Sequence, residues 1–84
     1  MNRQQAEDLR RVYRTMEAIG QHSAMERESL RGPRFRILSR YGSADARVRA
    51  YDRRLEEVNA RDRAAHNRAV EVRRWLHSAG YDIA

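Results

Sequence analysis

The sequence predicts an all-α fold, an antiparallel helical hairpin of a first helix against a long C-terminal helix, with one or two short connecting helices. In the C-terminal half, mostly apolar or small side chains alternate at spacings of three and four residues, which is typical of a coiled-coil seam. These positions are Val48, Tyr51, Leu55, Val58, Asp62, Ala65, Ala69, Val72, Leu76 and Ala79. The N-terminal segment repeats the rhythm, so the two segments are expected to pair. Its positions are Leu9, Val12, Met16, Ile19 and Ser23.

Glycines set the predicted helix boundaries, because helices often close on a glycine in the left-handed conformation. The four glycines are Gly20, Gly32, Gly42 and Gly80. Start signals follow three of them: a capping box at Ser23, Pro33 as a first helical residue, and Ser43. We therefore expect a single small helical domain over residues 1–84, with helices at 3–19, 23–31, 33–41 and 43–79 and a tail at 80–84.

Two local alternatives remain open in the first half of the chain. Gly20 either breaks the first helix or only kinks it. Residues 33–41 form either a short helix or an extended segment, because the side chains of "RFRIL" alternate in character. A lone strand would have no partner in this chain, which favours the helix.

Charges beside the C-terminal seam favour pairing within one chain. Four arginines flank the seam at seven-residue spacing, and an antiparallel homodimer through it would set them against each other. They are Arg47, Arg54, Arg61 and Arg68. Folding the first helix back places acidic or neutral residues there instead, with Asp8 near Arg68. Monomer and dimer both remain open, and self-assembly through the seam in parallel register is a further alternative.

The middle of the C-terminal helix, residues 59–69, contains no apolar residue larger than alanine. This waist either allows close helix approach or stays hydrated as a contact surface. Asp62 lies at a seam position there, where burial without a partner would cost several kcal/mol. Arg61, Arg63 or a residue of the first helix could neutralise it.

Composition and motifs exclude several classes of protein. The chain has no cysteine, which excludes disulfides and thiolate metal sites. It contains no phosphate-binding glycine loop, nucleophile elbow or two-histidine metal motif, and His66 and His77 are too far apart along a helix to share a metal ion. We therefore expect no catalytic residues, cofactor or metal, and no enzyme activity. No apolar run is long enough to span a membrane, so a soluble cytoplasmic protein without membrane partners is expected.

The basic residues are all arginines, 18 in number, and the formal net charge is +6. Residues 31–42 hold four of these arginines and no carboxylate. Other arginines have acids three or four positions away, such as Arg49 after Asp45 and Arg53 before Glu57. If residues 33–41 are helical, we expect Phe35, Leu38 and Tyr41 to face inward. Arg34, Arg36 and Arg40 are then expected to point outward.

The leading functional interpretation is a small basic, non-enzymatic binding or regulatory protein that contacts nucleic acid or a nucleic-acid-handling complex. Arginine–phosphate contacts would supply the affinity, with little sequence specificity. The candidate binding residues are Arg31, Arg34, Arg36 and Arg40, helped by Arg61, Arg63 and Arg68.

The alternative is a protein-interaction module, such as a phage-type inhibitor, adaptor or assembly factor, that offers its long basic helix to an acidic partner. The single tryptophan, Trp75, bears on this choice. It is expected to be either a core residue that docks the tail "GYDIA" or an interface anchor.

Overall fold

The computed structural model describes residues 1–83, which form two long α-helices and no strand. Helix α1 runs from Arg3 to Tyr41 and helix α2 from Ala46 to Ser78, joined by a loop of residues 42–45. The helices pack side by side in opposite directions. At one end Arg34 contacts Asp52, and at the other the Arg10 side chain donates to the Asp82 carbonyl. An all-helical fold with the two segments packed on each other is therefore confirmed.

Both helices begin at a side chain that accepts a hydrogen bond from the first turn. Asn2 precedes α1, and its side chain accepts from the Gln5 N–H at 2.8 Å while the Gln5 side chain accepts from the Asn2 N–H at 2.8 Å. Asp45 precedes α2 and accepts from the Arg47 N–H at 2.9 Å. These contacts satisfy backbone donors that would otherwise lack a partner.

Helix α1 is continuous, and this corrects the predicted boundaries. Ser23, Gly20 and Pro33 all lie inside it, so the separate helices at 23–31 and 33–41 do not form. A helix of 39 residues is about 58 Å long at 1.5 Å per residue, and the longest extent of the molecule is 58 Å. Helix α1 thus spans the length of the molecule and continues through Pro33.

The physical reason is that a glycine permits a left-handed turn but does not require one. The spacing of three and four residues continues through Gly20, and packing on α2 offsets its low helix propensity. The inward positions of α1 are Ala6, Leu9, Tyr13, Met16, Gly20, Ser23, Arg27, Leu30, Arg34 and Ile37.

The other two glycines do end helices, as predicted. Gly42 has φ 87° and Gly80 has φ 81°. After α2, the Gly80 N–H donates to the His77 carbonyl at 3.0 Å and the Tyr81 N–H donates to the Leu76 carbonyl at 2.9 Å. This is the Schellman pattern of a helix end. Helix α2 lies within three residues of the predicted range 43–79, and Ala84, the last residue of the predicted tail, lies outside the described residues.

The core is a narrow line of small side chains between the helices. The buried apolar residues are Ala6, Val48, Val58, Ala65, Val72 and Leu76. The radius of gyration is 18.0 Å, whereas a compact chain of this length would have about 12 Å. The molecule is a rod, and many apolar side chains stay partly exposed.

Polar contacts replace apolar packing at the waist of α2. Asp62 accepts a hydrogen bond from Arg27 at 2.9 Å, and a Cβ at Gly20 would lie 3.5 Å from the same carboxylate. Glu26 of α1 accepts hydrogen bonds from both Arg54 and Arg61 of α2. Of the partners left open for Asp62, the structure shows the residue of the first helix, Arg27. Asp8, which was expected to lie near Arg68, contacts Arg11 at 3.7 Å, while Arg68 pairs with Glu71 at 3.1 Å.

Trp75 is not a core residue, because 42% of its surface is exposed. Tyr81 packs on the cluster of Ala6, Val72 and Leu76 in its place. Tyr81, next to Gly80, therefore docks the tail, and of the two alternatives for Trp75 the core residue is excluded.

Candidate functional site

The positive charge of the molecule is concentrated where the two helices meet the loop. Residues 31–53 form this loop end, and they contain seven arginines and two aspartates, a formal net charge of +5 out of the +6 of the whole chain. The sequence indicated residues 31–42 as the basic segment. The hairpin adds three further arginines from the start of α2 to the same end: Arg47, Arg49 and Arg53.

Three arginines of the loop end are paired with carboxylates. Arg34 donates to Asp52 at 2.5 Å, Arg31 to Glu28 at 3.2 Å, and Arg47 to Asp45 at 3.0 Å. Arg31 and Arg34, two of the predicted binding residues, therefore already have anionic partners within the protein.

Four exposed arginines of the loop end have no carboxylate within 4.0 Å among the described residues. We call them the loop-end arginines: Arg36 and Arg40 on α1, and Arg49 and Arg53 on α2. Each pair is separated by four residues, so its two side chains lie on one face of their helix. The sequence identified the first pair as binding residues but not the second.

The second pair was missed because sequence spacing assigned acidic partners to it. Asp45 contacts Arg47 instead of Arg49, since the aspartate caps the helix and meets the residue two positions later. Glu57 contacts Arg54 at 3.2 Å instead of Arg53. Spacings of three and four residues both allow an ion pair, so the pattern alone could not decide which arginine lacks a partner.

The inward face of α1 near the loop also differs from the expectation. Phe35 and Tyr41 are 66% and 55% exposed, although the sequence predicted them to face inward. Arg34 lies partly buried against Asp52 instead of pointing outward. The cause is the continuous register of α1, because Leu30, Arg34 and Ile37 occupy the inward positions once the helix runs through Pro33. The loop end consequently presents two aromatic rings among its arginines.

Tyr41 connects the arginines of the two helices. The Arg47 guanidinium lies 4.5 Å from the centre of the Tyr41 ring, and the Arg40 guanidinium lies 5.8 Å from it. Cations at these distances are attracted to the ring face. Hydrogen bonds from the Arg47 side chain and backbone hold the pKa of Asp45 below its ordinary value. Asp45 therefore stays ionised at the start of α2, where it occupies the donors that could otherwise bind a phosphate.

The remaining predicted binding residues do not join the loop end. Arg61 donates to Glu26, and Arg68 pairs with Glu71 while its guanidinium lies 5.1 Å from the centre of the Trp75 ring. Arg63 is exposed on α2. At 1.5 Å per residue, Arg61 is about 12 Å along α2 from Arg53, and Arg68 about 22 Å.

The described residues also bear on metal and membrane chemistry. Within residues 1–83, no group of three histidine, aspartate or glutamate side chains is placed to hold a metal ion. Neither described helix has an apolar stretch long enough to cross a membrane.

Comparison with known proteins adds no relative. No protein-family model, curated protein or solved structure matches the sequence.

Proposed function

We propose that the protein is a non-enzymatic binding protein that contacts nucleic acid, alone or in a nucleoprotein complex, through its loop end. The observation that supports this proposal is the set of loop-end arginines, which are exposed and have no carboxylate within 4.0 Å in the described chain. Like charges gathered at one end repel each other, and a polyanion would relieve that repulsion. Guanidinium groups also match the geometry of phosphate oxygens.

The exposed aromatic rings favour nucleic acid over a simple anion. Phe35 and Tyr41 lie in the same segment as Arg36 and Arg40, and both rings are more than half exposed. Single-stranded bases stack on such rings, at about 1–3 kcal/mol per base. Arginines of this kind contact the phosphate backbone and aromatic rings contact the faces of the bases, and neither contact depends strongly on base identity. We therefore expect little sequence specificity.

The test is binding of a fluorescently labelled DNA duplex, and separately an RNA hairpin, followed by anisotropy. The loop-end variant changes Arg36, Arg40, Arg49 and Arg53 to glutamine. Its matched control changes four arginines near the chain termini to glutamine, which lowers the net charge equally. These are Arg3, Arg14, Arg73 and Arg74. We expect the loop-end variant to lose at least tenfold more affinity than the control. Equal losses would show that the loop end is not the binding surface.

A protein partner is the second candidate, and the observation that favours it is Trp75. This tryptophan is 42% exposed and lies under the Arg68 guanidinium, and tryptophan and arginine are the residues most often dominant at protein interfaces. An acidic protein would meet these residues along α2. Absence of binding to both nucleic acids at low salt would favour this candidate.

A further inference from the structure

Phe35 presents an uncovered aromatic ring at the loop end. Its side chain is 66% exposed. Within residues 1–83, the contacts between arginines and aromatic rings involve Tyr41, Tyr81 and Trp75 but not Phe35. The Tyr41 ring, in contrast, is approached by two guanidinium groups. The flat surface of the Phe35 ring is therefore available to a ligand, which would gain free energy by covering it.

The ion pair between Arg34 and Asp52 shows which residues of α2 lie beside Phe35. The next residue after each partner is Phe35 in α1 and Arg53 in α2. Because the helices are antiparallel, one step forward along the chain turns the side chain to the same side of the hairpin in both helices. Arg49, three residues before Asp52, lies on that side as well. Phe35 thus shares one side of the hairpin with two of the loop-end arginines.

These residues also lie at a similar height along the rod. Measured from that ion pair at 1.5 Å per residue, Phe35, Arg49 and Arg53 all lie within about 5 Å. Leu38, three residues after Phe35, is half-buried next to them. We call these four residues the Phe35 face. It combines an exposed ring and an apolar side chain with two guanidinium groups that have no carboxylate within 4.0 Å in the described chain.

The chemistry of the Phe35 face matches a nucleotide whose base is unpaired. The flat sides of such a base are free to stack on an aromatic side chain, and this stacking depends little on the identity of the base. The phosphates on either side of the base carry the negative charge that guanidinium groups bind. A nucleotide therefore supplies a ring and an anion within one unit. An acidic side chain would pair with the arginines but would leave the Phe35 ring exposed.

A DNA duplex does not offer the same contact. Its bases are stacked on one another, so that a protein reaches only their edges through the grooves. The major groove is about 12 Å wide and admits one helix, whereas the hairpin measures 15 by 14 Å across. Phe35 also lies seven residues, or about 10 Å, along α1 from Gly42 in the loop. A duplex would therefore contact arginines of the loop end through its phosphates and leave the Phe35 ring uncovered.

We propose, as an inference that rests on the proposed function, that the Phe35 face binds single-stranded nucleic acid. One unpaired base stacks on the Phe35 ring, and the neighbouring phosphates bind Arg49 and Arg53. Arg40 is five residues after Phe35 and is turned about 140° around α1 from it. Its contact with phosphate is therefore independent of the stacked base.

Fluorescence anisotropy with three labelled ligands tests the stacked base. The ligands are a short oligothymidine strand, an abasic strand of equal length that keeps the sugar–phosphate chain, and a duplex. Phe35→Leu keeps an apolar side chain and removes the flat ring. We expect this variant to lose at least about fivefold in affinity for oligothymidine, the lower limit for one stacked base, and to bind the other two ligands unchanged. Equal effects on oligothymidine and the abasic strand would overturn the proposal.

Trp75→Leu is the matched control, because it removes another partly exposed ring, near the end of α2 far from the loop. We expect it to leave all three affinities unchanged. Circular dichroism verifies that both variants stay helical. A loss of oligothymidine affinity in Trp75→Leu as large as in Phe35→Leu would contradict stacking at the Phe35 face.

Double-mutant cycles test the position of the phosphates. Arg53→Gln and Phe35→Leu should lose less oligothymidine affinity together than the sum of their separate losses, because both side chains hold one nucleotide. Arg40→Gln and Phe35→Leu should be additive. Additivity in both cycles would overturn the proposed position of the strand.

The outcomes separate this inference from the proposed function. Duplex binding that requires the loop-end arginines, together with oligothymidine binding that is insensitive to Phe35→Leu, would overturn only the single-strand inference. Absence of binding to every nucleic acid at low salt would overturn both.

Discussion

At the scale of single residues, Glu26 of α1 joins the two helices through two arginines of α2. Its carboxylate accepts hydrogen bonds from Arg54 and Arg61, and its side chain is only 16% exposed. Desolvation raises the pKa of Glu26, but the hydrogen bonds and charges of Arg61 and Arg54 outweigh it and hold the pKa below the ordinary value of 4.5. Glu26 therefore ties α1 to α2 most strongly while it is ionised.

This contact predicts a pH dependence of stability. Because the pKa of Glu26 is lower in the folded than in the unfolded chain, its contribution is complete above pH 4.5 and is lost as the pH falls through the folded value. We expect the protein to be more stable than Glu26→Gln at about pH 6 and to lose this advantage towards about pH 3. Urea denaturation across this range measures the difference. Glu71→Gln, an exposed glutamate outside the contact, is the control, and parallel curves for Glu26→Gln and the unmodified protein would contradict the account.

At the scale of elements, the continuity of α1 determines the shape of the site. Helix α1 carries two glycines and a proline, yet it runs unbroken for 39 residues. This register turns Phe35 outward and Arg34 towards Asp52. A break at Gly32 would instead have allowed the last turns of α1 to rotate as a separate element.

Gly20→Ala distinguishes a continuous helix from a turn at that position. A Cβ at Gly20 would lie 3.5 Å from an oxygen of Asp62, an ordinary van der Waals contact, so the substitution should stabilise the protein by about 0.5–1 kcal/mol through higher helix propensity. Gly42→Ala is the matched control, because Gly42 has φ 87° and ψ 170°, a conformation nearly restricted to glycine, and it should destabilise by about 1–3 kcal/mol. Thermal unfolding followed by circular dichroism measures both. Destabilisation by Gly20→Ala would mean that α1 is interrupted there.

The sequence predicted the extent of α2 to within three residues at each end, because its glycines and its spacing of apolar residues indicate the same helix. Nine consecutive seam positions from Val48 to Leu76 face α1, and a glycine with positive φ lies on each side of the helix, Gly42 four residues before its first residue and Gly80 two residues after its last. In α1, residues typical of helix starts conflicted with the spacing of three and four residues, which continues past them. Ser23 and Pro33 resemble helix starts, and only packing against α2 resolves the conflict in favour of one helix.

The candidate site was predicted in part for a similar reason. Arg36 and Arg40 were recognised because no acid lies near them in sequence. Arg49 and Arg53 were not, because the choice of ion-pair partner depends on side-chain geometry at the cap of α2. The contribution of α2 to the loop end is a property of the hairpin, which brings two separate segments together.

At the scale of the whole molecule, the fold separates charge along a rod. The molecule is 58 Å long and 15 Å wide, and the loop end holds +5 of the net charge of +6. The half with the chain termini is close to neutral. The loop end is thus the part of the molecule suited to a polyanion.

The salt dependence of nucleic-acid binding tests the central claim most directly. If the four loop-end arginines contact phosphates, the logarithm of the association constant for duplex DNA should fall against the logarithm of salt concentration with a slope of about −3.6. Affinity would then drop by about 150-fold between 50 and 200 mM salt. The loop-end glutamine variant should flatten this slope towards zero, while the control variant should keep it. Absence of binding at 50 mM salt, or an affinity that salt leaves unchanged, would contradict phosphate contact by the loop end.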